Sequence, residues 1–442
     1  MKKSFLLKIL ILMIFVCSQN LVAQIDDIST EFRQRAENAE KLRLSGELTN
    51  SLKLFDELIK EKPTFYLLFY SRGLAYIDLK KFDLAIIDFS KAIELEPDVF
   101  YLYYGRAAAN VSLEKYDLTI PDFTMIIKLE PDNALGHIGR GTSYLAMEKY
   151  ELAIPDLTKA INIDPTNGET YFNRGLAYFE TGKNNLAVED FSKTIEINPQ
   201  FYPSYLLRGQ LYFVADKFNV ALTDATSAVN LNGNSVPALL LRAKINIELR
   251  KYKDAKNDLD RLLILDNKSL RGLILRSFLH FKYEDFKGLI DDATKAIEVT
   301  PNDAMAYNNR AYGYLRLNNL ADAEKDINKA LELSPKFALG LNNRGLLKIK
   351  RNKLESAMQD IESAEVVDSG IAEIYFNKGL IFSENKQFQK AIDEFNKALE
   401  INPNLAIVFE ERAKVYQELK DEKKAESDRK KAEQIREEIK NL

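Results

Sequence analysis

The sequence predicts an all-α fold, a solenoid of stacked helical hairpins, on three series of residues that recur every 34 positions. Pro63, Pro97, Pro131, Pro165, Pro199, Pro301, Pro335 and Pro403 share one register, whose three empty slots hold Gly233, Asn267 and Ser369. Small residues keep the same beat from Ala39 through Gly73, Gly175 and Gly345 to Ala413. A third series runs from Ala85 through Ala187 and Ala323 to Ala425, broken by Thr119 and Leu289. Twelve units, starting at residues 32, 66, 100, 134, 168, 202, 236, 270, 304, 338, 372 and 406, fill 32–439 without insertion or deletion. For 442 residues length alone suggests about three globular domains. The repeat overrides that count, because such units stack as one quasi-linear array.

The unit at 168–201 shows why each must be a hairpin. Tyr171, Gly175 and Tyr178 lie at i, i+4, i+7, one face of a helix, and Ala187, Phe191 and Thr194 repeat that spacing. Gly182 lies between the two faces and suits the end of the first helix. Other units place Lys, Glu, Asp, Arg or Asn there, so a tight glycine turn is not expected to be required. Pro199 lacks a backbone donor and stops the second helix. The polar residues after the prolines, Asp98, Asp132, Thr166, Asn302 and Asn404, are expected to cap the next helix. Small residues at Gly175 and Ala187 let the two helices approach closely.

A second pair of series carries charge. Arg recurs in ten units, from Arg72 to Arg412, and sixteen residues later comes Asp, from Asp88 to Asp428. The exceptions depart together: unit 11 has Lys378 with Glu394, and unit 1 has Asn38 with Leu54. Arg174 and Asp190 each flank an apolar stripe, where an isolated charge is costly and a paired one much less so. Ion pairs are expected within each hairpin: Arg174 with Asp190, Arg208 with Asp224, Arg310 with Asp326, Lys378 with Glu394. The alternative is that the arginines bind anionic ligands.

A 34-residue helix–turn–helix with this pattern resembles the tetratricopeptide repeat (TPR). Tryptophan, common at the family's first aromatic position, is absent, and Phe69, Tyr103, His137, Tyr171 and Tyr205 fill that slot. The resemblance implies a right-handed superhelix whose concave face, lined by the first helices, holds an extended peptide or partner helix. It places the second, fifth, sixth, ninth and twelfth positions of each unit in that groove. At the fifth position stand Tyr70, Tyr104, Ile138, Phe172 and Leu206, an apolar and aromatic row suited to a partner unless tighter packing buries it. Units 9 to 11 carry Asn308, Asn309, Asn342, Asn343 and Asn377 beside Phe376, and Asn173 shares the sixth position. Asparagine both donates and accepts, so this row suits a peptide backbone, the alternative being solvated residues. The fifth positions lack the lysine of the family's carboxylate clamp, so that ligand is not inferred.

Composition narrows the rest. Hydrophobic content of 46% with 29% charge suits a folded chain, and 62 basic against 66 acidic residues imply no nucleic-acid partner. Residues 1–23 read as a signal peptide: Lys2 and Lys3, an apolar run from Ile9 to Val16, and a small-residue cleavage site at Leu21-Val22-Ala23. A polar linker follows at 24–31. Cleavage removes Cys17, the sole cysteine; the rival reading is a lipid on Cys17, which alone would bring in a membrane. His137 and His280, the two histidines, occupy packing slots, and no HExxH, Cys/His cluster, P-loop or GxSxG is present. No catalytic residue, metal or cofactor is expected. The expected function is a non-catalytic protein-interaction scaffold of the bacterial envelope, periplasmic or secreted. The alternatives are a chaperone-like client-binding subunit and a glycan binder.

Overall fold

The computed structural model describes residues 29–441, and among them the chain is helical with no strand. Twenty-four α-helices follow one another, two per 34-residue repeat, as in Gly168–Glu180 and Asn184–Ile197 of repeat 5. They form an α-solenoid that divides into two compact units, one ending at Leu211 and the other beginning at Tyr212. The signal-peptide reading, Cys17 and residues 24–28 of the linker lie outside the described residues. The first helix, Thr30–Leu44, begins inside the expected linker, with Ser29 as its N-cap.

The turn inside each hairpin is left-handed. Lys80, Glu114, Glu148, Gly182, Asp216, Arg250, Glu284, Asn318, Asn352, Lys386 and Lys420 all have φ between 54° and 72°, and Gly46 has 86°. In repeat 5 the Lys183 amide reaches back to the Tyr178 carbonyl at 2.8 Å, and the Gly182 amide to that of Phe179 at 3.1 Å. This double closure satisfies carbonyls that the helix end leaves open, so it holds the turn even where no glycine is present. Glycine is therefore not required at this slot, as the sequence led us to expect: Lys, Glu, Asp, Arg and Asn hold the same left-handed conformation there. A correction concerns the caps. Asn133, Asn167 and Asp303 accept from the amides of Leu135, Thr170 and Ala306 at 3.0, 3.2 and 2.9 Å. Each lies one residue beyond the expected Asp132, Thr166 or Asn302, because the proline starts a tight turn that takes up that position.

The core is a file of interlocking layers. Phe55, Phe89, Phe123 and Phe191 in the first unit, and Ile361 and Phe395 in the second, are almost fully buried at the same position of successive second helices. Small residues of the facing first helices make room. A Cβ on Gly175 would lie 2.9 Å from the Phe191 ring, and one on Gly379 2.4 Å from that of Phe395. The last helix, Glu422–Asn441, buries Ala425, Ala432 and Ile435 and leaves Arg429 exposed where other repeats place an apolar side chain. That suits the end of a stack.

Candidate functional site

The periodic charges are placed by the hairpin itself. Arg174 donates through Nε and Nη2 to both oxygens of Asp190 at 2.9 and 2.8 Å; Arg310 does the same to Asp326 at 2.6 and 2.8 Å. Burial pushes the Asp190 carboxyl up against the lowering effect of Arg174, whose own guanidinium is held above its usual range by that carboxylate. The third nitrogen does something the sequence spacing did not reveal. Arg174 Nη1 reaches Thr158 Oγ1 at 3.2 Å, Arg208 reaches Ser192 at 2.8 Å, and Arg276 reaches Asp260 at 2.8 Å. Each partner stands sixteen residues earlier, on the second helix of the preceding repeat, so one guanidinium joins three helices. Asp224 is buried at its slot. Repeat 11 corrects the expected Lys378–Glu394 pair: Lys378 bonds Glu365 of repeat 10, and Glu394 pairs with Lys397 at 2.8 Å. A lysine offers a point charge without the two-pronged geometry of guanidinium, so it goes to the nearest carboxylate.

The histidines are packed and bonded. His137 Nδ1 lies 3.0 Å from Asp156, and His280 lies 2.8 Å from Asp285 and 3.5 Å from Asp292. Burial raises the Asp292 carboxyl, but bonds from Arg276 and His280 outweigh it and hold it below the usual range. Among the described residues no cluster of metal-ligating side chains occurs, and no helix is long and apolar enough to cross a membrane.

The expected groove residues separate into two sets. In the first unit Tyr70, Tyr104, Ile138 and Phe172 are buried, between 2% and 8% exposed, so that row is largely core. The fifth position packs on the second-helix phenylalanine of its own repeat: Tyr70 on Phe89 at 5.8 Å, Tyr104 on Phe123 at 6.0 Å, Phe172 on Phe191 at 5.8 Å. Tyr70 also meets Tyr101 of the next repeat edge-on at 5.0 Å. Asn173 and Leu206 are half-buried.

In the second unit the asparagines bond one another. Asn343 Nδ2 donates to Asn308 Oδ1 at 2.8 Å, and Asn377 Nδ2 to Asn342 Oδ1 at 2.9 Å. All four are buried, so these rungs between successive first helices replace the solvated or peptide-facing row expected of them. Asn309 is half-buried beside them.

A cavity of about 290 Å³ opens against this ladder, within repeats 8 to 12. Phe281, Tyr312, Leu346, Phe376, Leu380 and Ile407 supply its apolar wall, and Asn342 and Asn377 also line it. Arg436 of the last helix bonds Glu410 and reaches Glu284 of repeat 8 at 3.4 Å, at the edge of the cavity. Asn342, Phe376 and Asn377 are thus the expected groove residues that the structure brings together; Phe281, Tyr312, Leu346, Leu380 and Ile407 went unnamed. Their signal was available, since they occupy the second, ninth and twelfth positions that the resemblance places in the groove.

Stacked helical hairpins that offer a cleft between first helices define a helical-repeat interaction scaffold. Models of the tetratricopeptide repeat match residues 66–99, 168–201, 304–337 and 372–405, and a TPR repeat model matches 141–182. These matches place tetratricopeptide repeats in both compact units of the chain. No curated protein matches it. Among solved structures it is similar to a tetratricopeptide repeat protein from Parabacteroides merdae, at 22% identity and TM-score 0.47, over 57% of this chain and 98% of that one. It is also similar to YrrB, described as a TPR protein with an unusual peptide-binding site, at 21% identity and TM-score 0.38, over 42% and 95% of the two chains. A third likeness is to the Cut9–Hcn1 hetero-tetramer of the APC/C, at 14% identity and TM-score 0.46, over 92% and 94%.

Proposed function

We propose that this protein is a non-catalytic scaffold that holds an extended segment of a partner protein in the cavity of repeats 8 to 12. The repeats make it an interaction protein in the broad sense. The observation that carries the finer reading is the cavity itself, where aromatic and aliphatic side chains lie beside charged ones. Such a wall removes apolar side chains of a ligand from water while the charged residues of the lining, Lys282, Arg316 and Glu373 among them, meet its polar groups, a mixture typical of binding sites. We further propose export to the cell envelope, on the basic, apolar and small-residue succession of residues 1–23.

Affinity purification from the native cell tests the reading, with wild type beside a Phe376→Ala/Leu380→Ala variant and co-purifying proteins quantified by mass spectrometry. One stoichiometric partner, lost from the variant, is the expected result. A partner retained in full by the variant moves the site away from this cavity. Processing at Ala23, read by N-terminal sequencing of the envelope fraction, tests export; an intact Met1 in a cytoplasmic fraction overturns it.

A further inference from the structure

Three consecutive repeats place a cation at the last position of the first helix: Lys282, Arg316 and Lys350, each 34 residues apart. All three line the cavity of repeats 8 to 12. The same position holds Asp78, Ser112, Ala146 and Glu180 in the first unit and Glu384 and Glu418 in repeats 11 and 12, so the row is not a property of the repeat.

None of the three meets a carboxylate at ion-pair distance among the described residues. Lys282 lies over the rings of Phe278 and Phe281, at 5.1 and 5.6 Å. Burial pushes its ammonium down, countered in part by the field of Glu373. Arg316 is stacked 4.5 Å from Phe286 and donates to the Tyr312 hydroxyl at 2.9 Å, which fixes its plane. Lys350 is exposed. The carboxylates around the cavity are mostly taken: Glu284 faces Arg436, and Glu411 pairs with Lys414 at 2.7 Å. Among the described residues Glu373 forms no ion pair, so one such carboxylate stands against three cations. Cations held by rings and partly desolvated interact more strongly with an incoming anion than hydrated surface lysines do.

We infer that the partner segment held in this cavity is acidic, its side-chain carboxylates lying along Lys282, Arg316 and Lys350 while its apolar side chains enter between Tyr312 and Phe376. This inference rests on the cavity being a peptide site and adds the charge of the ligand.

The test is fluorescence anisotropy on the full chain with two short fluorescein-labelled peptides. One alternates Glu with Phe and Leu; the other has Gln in place of every Glu. The acidic peptide is expected to bind at least about tenfold more tightly at low salt, with the advantage shrinking as salt rises. Lys282→Gln/Arg316→Gln/Lys350→Gln should remove the advantage. Because that variant disturbs a packed arginine, Lys350→Glu at an exposed position is measured too, and should weaken the acidic peptide alone. Equal binding of both peptides, each weakened by Phe376→Ala, overturns the charge assignment and leaves the cavity as a peptide site. Binding of neither peptide overturns both.

Discussion

Arg174 and Asp190 form a two-pronged ion pair at 2.9 and 2.8 Å across the two helices of repeat 5, and the same guanidinium reaches Thr158 of repeat 4 at 3.2 Å. The contact repeats along the array with Thr, Ser, Asn or Asp as the third partner, as in Arg412 with Asp428 and Asn396. An arginine at this position therefore sets the register within its hairpin and ties it to the hairpin before.

Removing one member of the pair leaves the other buried and uncompensated. Arg174→Ala is expected to cost about 3–5 kcal/mol locally, and Asp190→Ala a similar amount. A double-mutant cycle followed by hydrogen exchange over repeats 4 and 5 should show coupling of about 1.5 kcal/mol or more. Zero coupling would mean the two side chains are merely neighbours.

The two aspartates Asp190 and Asp292 should respond to pH with opposite sign. Asp292 is held below its usual range, so its contribution is present above the unfolded value, near about 4, and is lost as pH falls through the lower folded value. Asp190 is held above its usual range, so its contribution is present below the unfolded value and is lost as pH rises through the folded one. The deficit of Asp292→Asn should shrink on acidification and that of Asp190→Asn should grow. Repeat-resolved exchange at neutral and acid pH reads this directly, and parallel slopes would contradict it.

Gly379 marks a place where no side chain fits. A methyl there would sit 2.4 Å from the Phe395 ring. Gly379→Ala is expected to destabilise repeat 11 by about 1–3 kcal/mol through overpacking. Adding Phe395→Leu, which withdraws the ring, should recover part of the loss in thermal unfolding. No recovery would place the cost in the backbone instead.

Gly182 tests the turn separately from packing, since a Cβ there meets nothing within 4 Å and only its φ of +72° matters. Gly182→Val should cost about 1–2 kcal/mol from backbone strain alone. A neutral substitution, by urea unfolding, would show that the turn relaxes.

The asparagine rungs are expected to be structural. Asn343→Ala strands the buried Asn308 amide and should cost about 1–3 kcal/mol, while Asn308→Ala/Asn343→Ala should cost less than the sum of the two single changes. Exchange protection across repeats 9 and 10 provides the measurement. Additive losses would mean the two amides act independently.

By itself the sequence determined the plan of a single repeat. The 34-residue period, the two helices, the small residue facing a large one and the Arg174–Asp190 spacing were all legible, because i, i+4 and sixteen-residue relations survive any stacking angle. The tertiary structure decided what depends on how closely successive repeats approach. It turned Tyr70 and Phe172 from groove into core, paired Asn377 with Asn342, and sent Lys378 to Glu365 in the preceding repeat. It also gathered Phe281, Tyr312, Phe376 and Ile407 around one cavity. The inter-repeat angle is the sum of many small packing contacts, each carried by a different side chain, and no single position in the chain spells it out.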